Sequence, residues 1–357
     1  MKKYLLLLAG ALISYSSLAQ TEVKKYQAGI TEEGITYFLP QTQIRVVVYA
    51  TKTHYIPGEF CDYAKRYLRL NDVPQNQYDK WTIEDIELYS YGVADKTKAY
   101  SIKLNTKTSA PLVTLTPDGR LISINKKVDH YDQDLPKSES SRVEQKKING
   151  NDFKTEEILS AGSKSKMAEL TANEIYNIRE NRSLLTKGQA DFMPKDGEQL
   201  NLMLNSLDKQ EEGLLQLFKG ETYTEKHTFT FDISPNQDVE KSPLFSFSKY
   251  LGMVDLDDPA GTTFYCSIKD LHSIPVAEVD GNNSKKEVKD LRYTIPGQAN
   301  VKVFTEEQEY VSENIPLAQF GKIEHLGGDL FNKKYTTKIT LSPETGGIVH
   351  VEADKPE

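Results

Sequence analysis

A chain of 357 residues with 52 acidic and 44 basic side chains carries a formal net charge of −8. It therefore lacks the clustered excess of Lys and Arg on which nonspecific nucleic-acid binding depends. Its length allows two or three domains, each large enough for its own core.

At the start, Lys2 and Lys3 precede an apolar run, Tyr4 to Ile13, and Ser17-Leu18-Ala19 supplies the small-x-small exit that a signal peptidase reads. This pattern predicts a cleaved leader over residues 1–19 and a mature chain beginning at Gln20. The run is shorter than the roughly 20 residues a membrane-spanning helix needs, and no cysteine follows to take a lipid. No later apolar run is long enough to cross a bilayer. The expectation is an exported, soluble protein of the periplasm or cell surface.

Residues 20–130 read as an N-terminal β-rich domain. Val46 to Tyr49, then Trp81, Ile83, Ile86 and Leu88, then Ile102 and Leu104, form β-branched and aromatic runs. Thr116-Pro117-Asp118-Gly119 has turn chemistry that pairs Val113 and Leu115 with Leu121, Ile122 and Ile124 in a hairpin. One helix, Gly58 to Leu70, interrupts these strands with Phe60, Ala64, Tyr67 and Leu68 on its apolar face. Residues 131–165 are rich in Lys, Glu, Ser, Asp and Gln. They bury too little apolar surface to offset their ordering entropy, which predicts a flexible connector.

Residues 166–220 read as a helical hairpin. Leu170, Ile175, Ile178, Leu184 and Leu185, then Leu200, Leu204, Leu207, Leu214, Leu215 and Phe218, keep close to the three-and-four spacing of amphipathic helices. Lys187-Gly188 and Lys219-Gly220 have C-terminal cap chemistry. Pro194 blocks continuation of the first helix, and Asp196 caps the second with Gln199 reaching back. Thr171 to Glu174 fits a capping box for the first helix, while Ala168 and Leu170 extend the pattern upstream. Residues 221–357 then form a C-terminal β-rich domain, opened by the alternation Tyr223, His227, Phe229, Phe231 and Ile233. The predicted class is α+β: two β-rich lobes, sandwich-like or barrel-like, flanking a central helical hairpin. Val113 to Ile124 and Ile339 to Val351 echo each other, which raises duplication of one lobe against shared turn chemistry.

Several stretches together resemble a known family. Pro57-Gly58-Glu59-Phe60 leading into Tyr63 to Leu68, Ile175 to Arg182, Gln210 to Phe218 and Ile315 to Gly321 are similar to an uncharacterised family of exported proteins from Bacteroides-type Gram-negative bacteria, a domain of unknown function. The resemblance spans most of the mature chain. It implies export and a place in the cell envelope, and it supplies no catalytic residue.

Chemistry must then be sought in the residues themselves. The histidines at 54, 130, 227, 272, 325 and 350 show no metal-ligand spacing. His227 alternates with Phe229 on the expected core face, where a satisfied structural histidine is the simpler reading. No serine-nucleophile elbow, phosphate loop or dinucleotide fingerprint occurs. Asp255, Asp257 and Asp258 concentrate oxygen ligands of the kind calcium takes, against plain turn formation before Pro259. Tyr176, Arg179 and Arg182 share a helical face able to bind a carboxylate or a sugar, or to pair with Glu174 or Glu180. Cys61 and Cys266 permit a disulfide between the β-rich regions, or two buried thiols. The function expected is noncatalytic binding or scaffolding, with an envelope protein or a glycan as partner. The alternative is a glycan- or peptide-processing hydrolase whose two carboxylates lie on separate strands.

Overall fold

The computed structural model describes residues 30–31, 34–102, 112–128, 131, 133–142, 148–275, 291–326 and 336–354. The expected leader and Leu104 lie outside them. In chain order come β1 (Ile30–Thr31), β2 (Gly34–Ile56), a 3₁₀ turn (Cys61–Tyr63), α1 (Ala64–Leu68), β3 (Tyr78–Ile102), β4 (Val113–Leu115), β5 (Leu121–Ile124) and β6 (Glu139–Arg142). A second 3₁₀ turn (Gly150–Phe153), α2 (Glu156–Leu159), α3 (Lys164–Thr186) and α4 (Gly197–Lys219) follow. The chain finishes with β7 (Glu221–Ile233), β8 (Val239–Ser248), β9 (Gly252–Val254), β10 (Thr262–Asp270), β11 (Leu291–Phe304), β12 (Glu309–Leu326), β13 (Thr336–Leu341) and β14 (Ile348–Asp354).

These strands build three antiparallel sheets, none closed into a barrel. The main sheet centres on β2, which pairs with β1, β3 and β7, and β6 pairs with β7 at the edge. A facing sheet runs β12-β11-β10-β8-β9, and an end sheet runs β14-β13-β5-β4. The sheets do not follow two lobes in chain order: β7, from beyond the helices, lies beside β2, and β13 pairs with β5. The echoing hairpins β4–β5 and β13–β14 are thus neighbours in one sheet.

The short runs expected at Val46 to Tyr49 and Trp81 to Leu88 are parts of one long ribbon. β2 and β3 stay paired from Ile35↔Ile102 to Tyr55↔Tyr78, with register shifts beside Pro40 and between Tyr49 and Ala50. Those bulges absorb the proline and the twist that would otherwise end such long strands. The ribbon contributes to buried clusters along its whole length, among them these. At one end Tyr37 and Leu39 pack with Leu121, Ile124, Leu291, Ile339 and Leu341 of the end sheet and β11. In the middle Val46, Val48, Ala50 and Ile86 meet Phe245, Phe247, Phe264 and Val303, making a sandwich with the facing sheet. At the other end the helices close over the β2–β3 connection.

The helical pair is antiparallel, since Arg179 meets Glu211 while Arg182 meets Asp208. Asp196 accepts from the Gln199 backbone at 2.7 Å, the expected cap, and Gln199 Oε1 accepts from Lys195 N at 3.2 Å, one residue further back than the Asp196 N–H of a reciprocal box. The first helix begins earlier than Thr171, because Ser163 caps it by accepting from Lys166 N. Ala168, Ala172, Ile175 and Ile178 of α3 pack with Leu214, Leu217 and Phe218 of α4 around Phe60, Ala64 and Leu68. The helix expected over Gly58 to Leu70 is much shorter, ending where Arg69 turns left-handed at φ 55°.

Gly58 explains the shortening. A β-carbon there would lie 2.4 Å from Leu217 O, and Phe60 N donates to that carbonyl at 2.6 Å, so the loop is clamped directly onto α4. Gly58→Ala is expected to cost about 1–3 kcal/mol, read as a lower urea midpoint. An unchanged midpoint would mean that the clamp does not matter.

The stretch expected as a flexible connector is docked where it is described. β6 adds to the main sheet. Gly150 sits against Gly213 O, Phe153 fills the space over Gly213, and Ile158 is the buried residue of α2. Sparse apolar residues suffice here because α4 offers glycine at the contact.

On the outer face of the main sheet Arg45 clamps Asp232 with two bonds, 2.8 and 2.9 Å. The Arg45 hydrogen bond holds the Asp232 carboxyl below the usual range. A depressed folded value gives stability that is present above the unfolded value and is lost as pH falls through the folded one. Asp232→Asn is expected to flatten the acid limb below about pH 4 and, since the pair is partly exposed, to cost under about 1 kcal/mol at neutrality. A denaturation series in pH checks this, and an unaltered acid limb contradicts it.

Candidate functional site

Toward the helices, the inner face of the main sheet changes from apolar to polar in three cross-strand rows. The first is Ser140, His227, Ala50 and Ile83; the next is Arg142, Glu225, Lys52 and Trp81; the last is Tyr223, His54 and Asp79. Directly opposed residues of antiparallel strands share a face, so strict alternation along β2, β3 and β7 gathers these side chains. The backbone Trp81 N donates to Lys249 O at 2.7 Å, and Gly252 lies against the indole, so the β8–β9 turn forms one wall.

Rings define the floor. His54 stacks on Tyr223 with centroids 4.5 Å apart, and His227 lies 4.6 Å from Trp81. His54 Nδ1 is 2.7 Å from Asp79 Oδ1, while its Nε2 is 3.4 Å from Glu225 Oε2. His227 Nε2 is 3.8 Å from that same oxygen. Both Nε2 atoms are shut away from water without a hydrogen-bond partner, an arrangement that folded proteins rarely leave unexplained. Lys52 Nζ pairs with Asp79 at 3.1 Å and stands over the Trp81 ring. Burial pushes the Asp79 carboxyl up, but hydrogen bonds from Lys52 and His54 more than reverse this and hold it low.

This basin has the parts of a recognition site: stacked rings, two carboxylates and two buried imidazole nitrogens that make no hydrogen bond. It is poorly arranged for two-carboxylate hydrolysis. The His54 ring fills the space between Asp79 and Glu225, where such a reaction needs room for the scissile bond. Among the described residues no group of three or more His, Cys, Asp or Glu side chains is placed to hold a metal ion.

The residues singled out from sequence lie elsewhere. Arg179 Nε bonds Glu211 at 2.7 Å; Arg182 also pairs with Glu211 and lies 3.2 Å from Asp208. The arginines therefore join α3 to α4 and do not pair with Glu174 or Glu180. Tyr176 donates to Tyr67 O at 3.1 Å. Beside Arg182 is an open cleft of about 290 Å³ that Asp208, Gln216 and Lys219 help to line. Asp255, Asp257 and Asp258 fall in the turn after β9, where Asp258 N donates to Asp255 O and Asp258 Oδ1 accepts from Ala260 N. Cys61 and Cys266 are both free thiols in the structure. Cys266 belongs to the core under β10, and burial pushes its thiol up to about 11.

His54, Asp79, Trp81 and Glu225 did not stand out as a site because they come from three strands. The available signal was the inward alternation Val46, Val48, Ala50, Lys52, His54, which turns polar without losing its period. His227 does lie on the inner face, as the alternation predicts, but its Nε2 lacks the partner a satisfied histidine would have.

No curated protein and no solved structure matches the chain. A family described as a domain of unknown function, DUF4831, matches residues 33–349, from just before β2 into β14 and across every residue of the basin. With most of its length covered by that match, the chain belongs to the DUF4831 family.

Proposed function

We propose that this protein is a noncatalytic binding module of the cell envelope, exported by its leader, and that its ligand seats in the basin of His54, Trp81, Tyr223, Glu225 and His227. One observation carries this reading: a half-open sheet face gathers aromatic rings and carboxylates around two buried, unpartnered imidazole nitrogens. Glycan fragments bearing short peptides suit this surface, since rings stack on sugar faces and carboxylates accept from hydroxyl or amine donors. The helical pair supports the basin by packing on the β2–β3 connection and leading directly into β7.

The test is equilibrium binding of the purified mature protein to a lysozyme digest of peptidoglycan. Saturable binding that is lost in His54→Gln and Glu225→Gln is the expected result. Binding at wild-type strength in both variants, or none in the native protein, rejects the basin as the site.

A further inference from the structure

We infer that the basin recognises a primary ammonium group. This rests on the binding reading above and specifies which part of the ligand the protein holds. Asp79 Oδ1 lies 2.7 Å from His54 Nδ1, so in the neutral ring the proton sits on Nδ1 and Nε2 presents a lone pair. That lone pair faces the Glu225 carboxylate across 3.4 Å, and His227 Nε2 faces the same oxygen across 3.8 Å. Acceptors at such separations repel unless a donor lies between them.

A protonated amine carries three donors on one nitrogen, enough to serve the His54 lone pair and the Glu225 oxygen together. Two acceptors 3.4 Å apart both fall within the roughly 2.8–2.9 Å reach of one charged nitrogen. The surroundings suit a cation as well. Lys52 Nζ stands 5.7 Å from the Trp81 centroid, and the Arg142 guanidinium lies 4.6 Å from that of Tyr223, so these rings already hold positive charge on their faces. Arg142 is exposed on the edge strand β6, opposite Glu225 in register, and stands at the open side of the basin.

Calorimetric titration of the mature protein with butylammonium and with N-butylacetamide tests the inference. Butylammonium is expected to bind at least about tenfold more tightly, the scale of a lost charged hydrogen bond. Glu225→Gln keeps the shape of the side chain and is expected to remove that preference; unchanged far-ultraviolet dichroism excludes misfolding. Equal affinity for the two probes, no binding of butylammonium, or a preference that survives in Glu225→Gln overturns the inference. Should the peptidoglycan digest still bind under any of those outcomes, the binding reading stands without the ammonium. If the digest also fails, both fall.

Discussion

Phe218→Ala is expected to destabilise the protein by about 3–5 kcal/mol, the range for removing a buried aromatic ring without collapse of the cavity. Phe218 is fully buried in the last turn of α4, with its ring centroid 5.5 Å from that of Phe60. Around the pair lie Ala64, Ala168 and Ala172, which have no side-chain length with which to fill the hole. The loss is therefore larger than contact area alone suggests. It also reaches the basin, because Gly220 follows at φ 77° and β7 starts at Glu221, only two residues before Tyr223. Urea denaturation should show a lower midpoint with an unchanged slope. A cost under about 1 kcal/mol would mean that the helical end is not an integral core.

Arg120→Ala is the second substitution with a large expected effect, about 1–3 kcal/mol, because it removes charge-assisted bonds to the exposed Asp118 and leaves the Pro343 carbonyl without its donor. Arg120 is 6% exposed. Its Nε lies 3.0 and 2.9 Å from the two Asp118 oxygens, and its Nη1 donates to Pro343 O at 2.5 Å. One guanidinium thus ties the β4–β5 turn to the β13–β14 turn. Gly92 of β3 lies close against both Arg120 and Pro343 O, so the tie also touches the long ribbon. Burial raises the Asp118 carboxyl, while hydrogen bonds from Thr116 and Arg120 bring it below the usual range. Arg120→Lys is not expected to rescue, since an ammonium lacks the planar fork that serves Asp118 and Pro343 together. Thermal and urea denaturation of both variants check this. Near-native stability of Arg120→Ala would contradict it.

Local chemistry made the helices legible. The Asp196 cap, the glycines at 188 and 220 and the leucine stripes depend on neighbours within one or two turns, and the sequence displays them. Gly58 shows where such reading fails: its meaning lies in Leu217 O, a contact no local pattern encodes. Strand identity was also partly legible, but strand partners were not. Nothing near Phe229 announces that β7 pairs with β2 across the intervening helices, or that Thr340 lies opposite Ser123. The basin follows from that same nonlocal pairing. Asp79, His54 and Tyr223 form a row only because three distant strands are in register, so each looks like an ordinary polar or aromatic strand residue by itself.

Trp81 is the only tryptophan in the chain, and it forms part of the basin. Its emission during titration of the purified mature protein with a lysozyme digest of peptidoglycan therefore reports on the proposed site directly. The account predicts a saturable change in Trp81 emission that is absent in Glu225→Gln. Saturable binding of the digest with Trp81 emission unchanged would place the ligand elsewhere and contradict it.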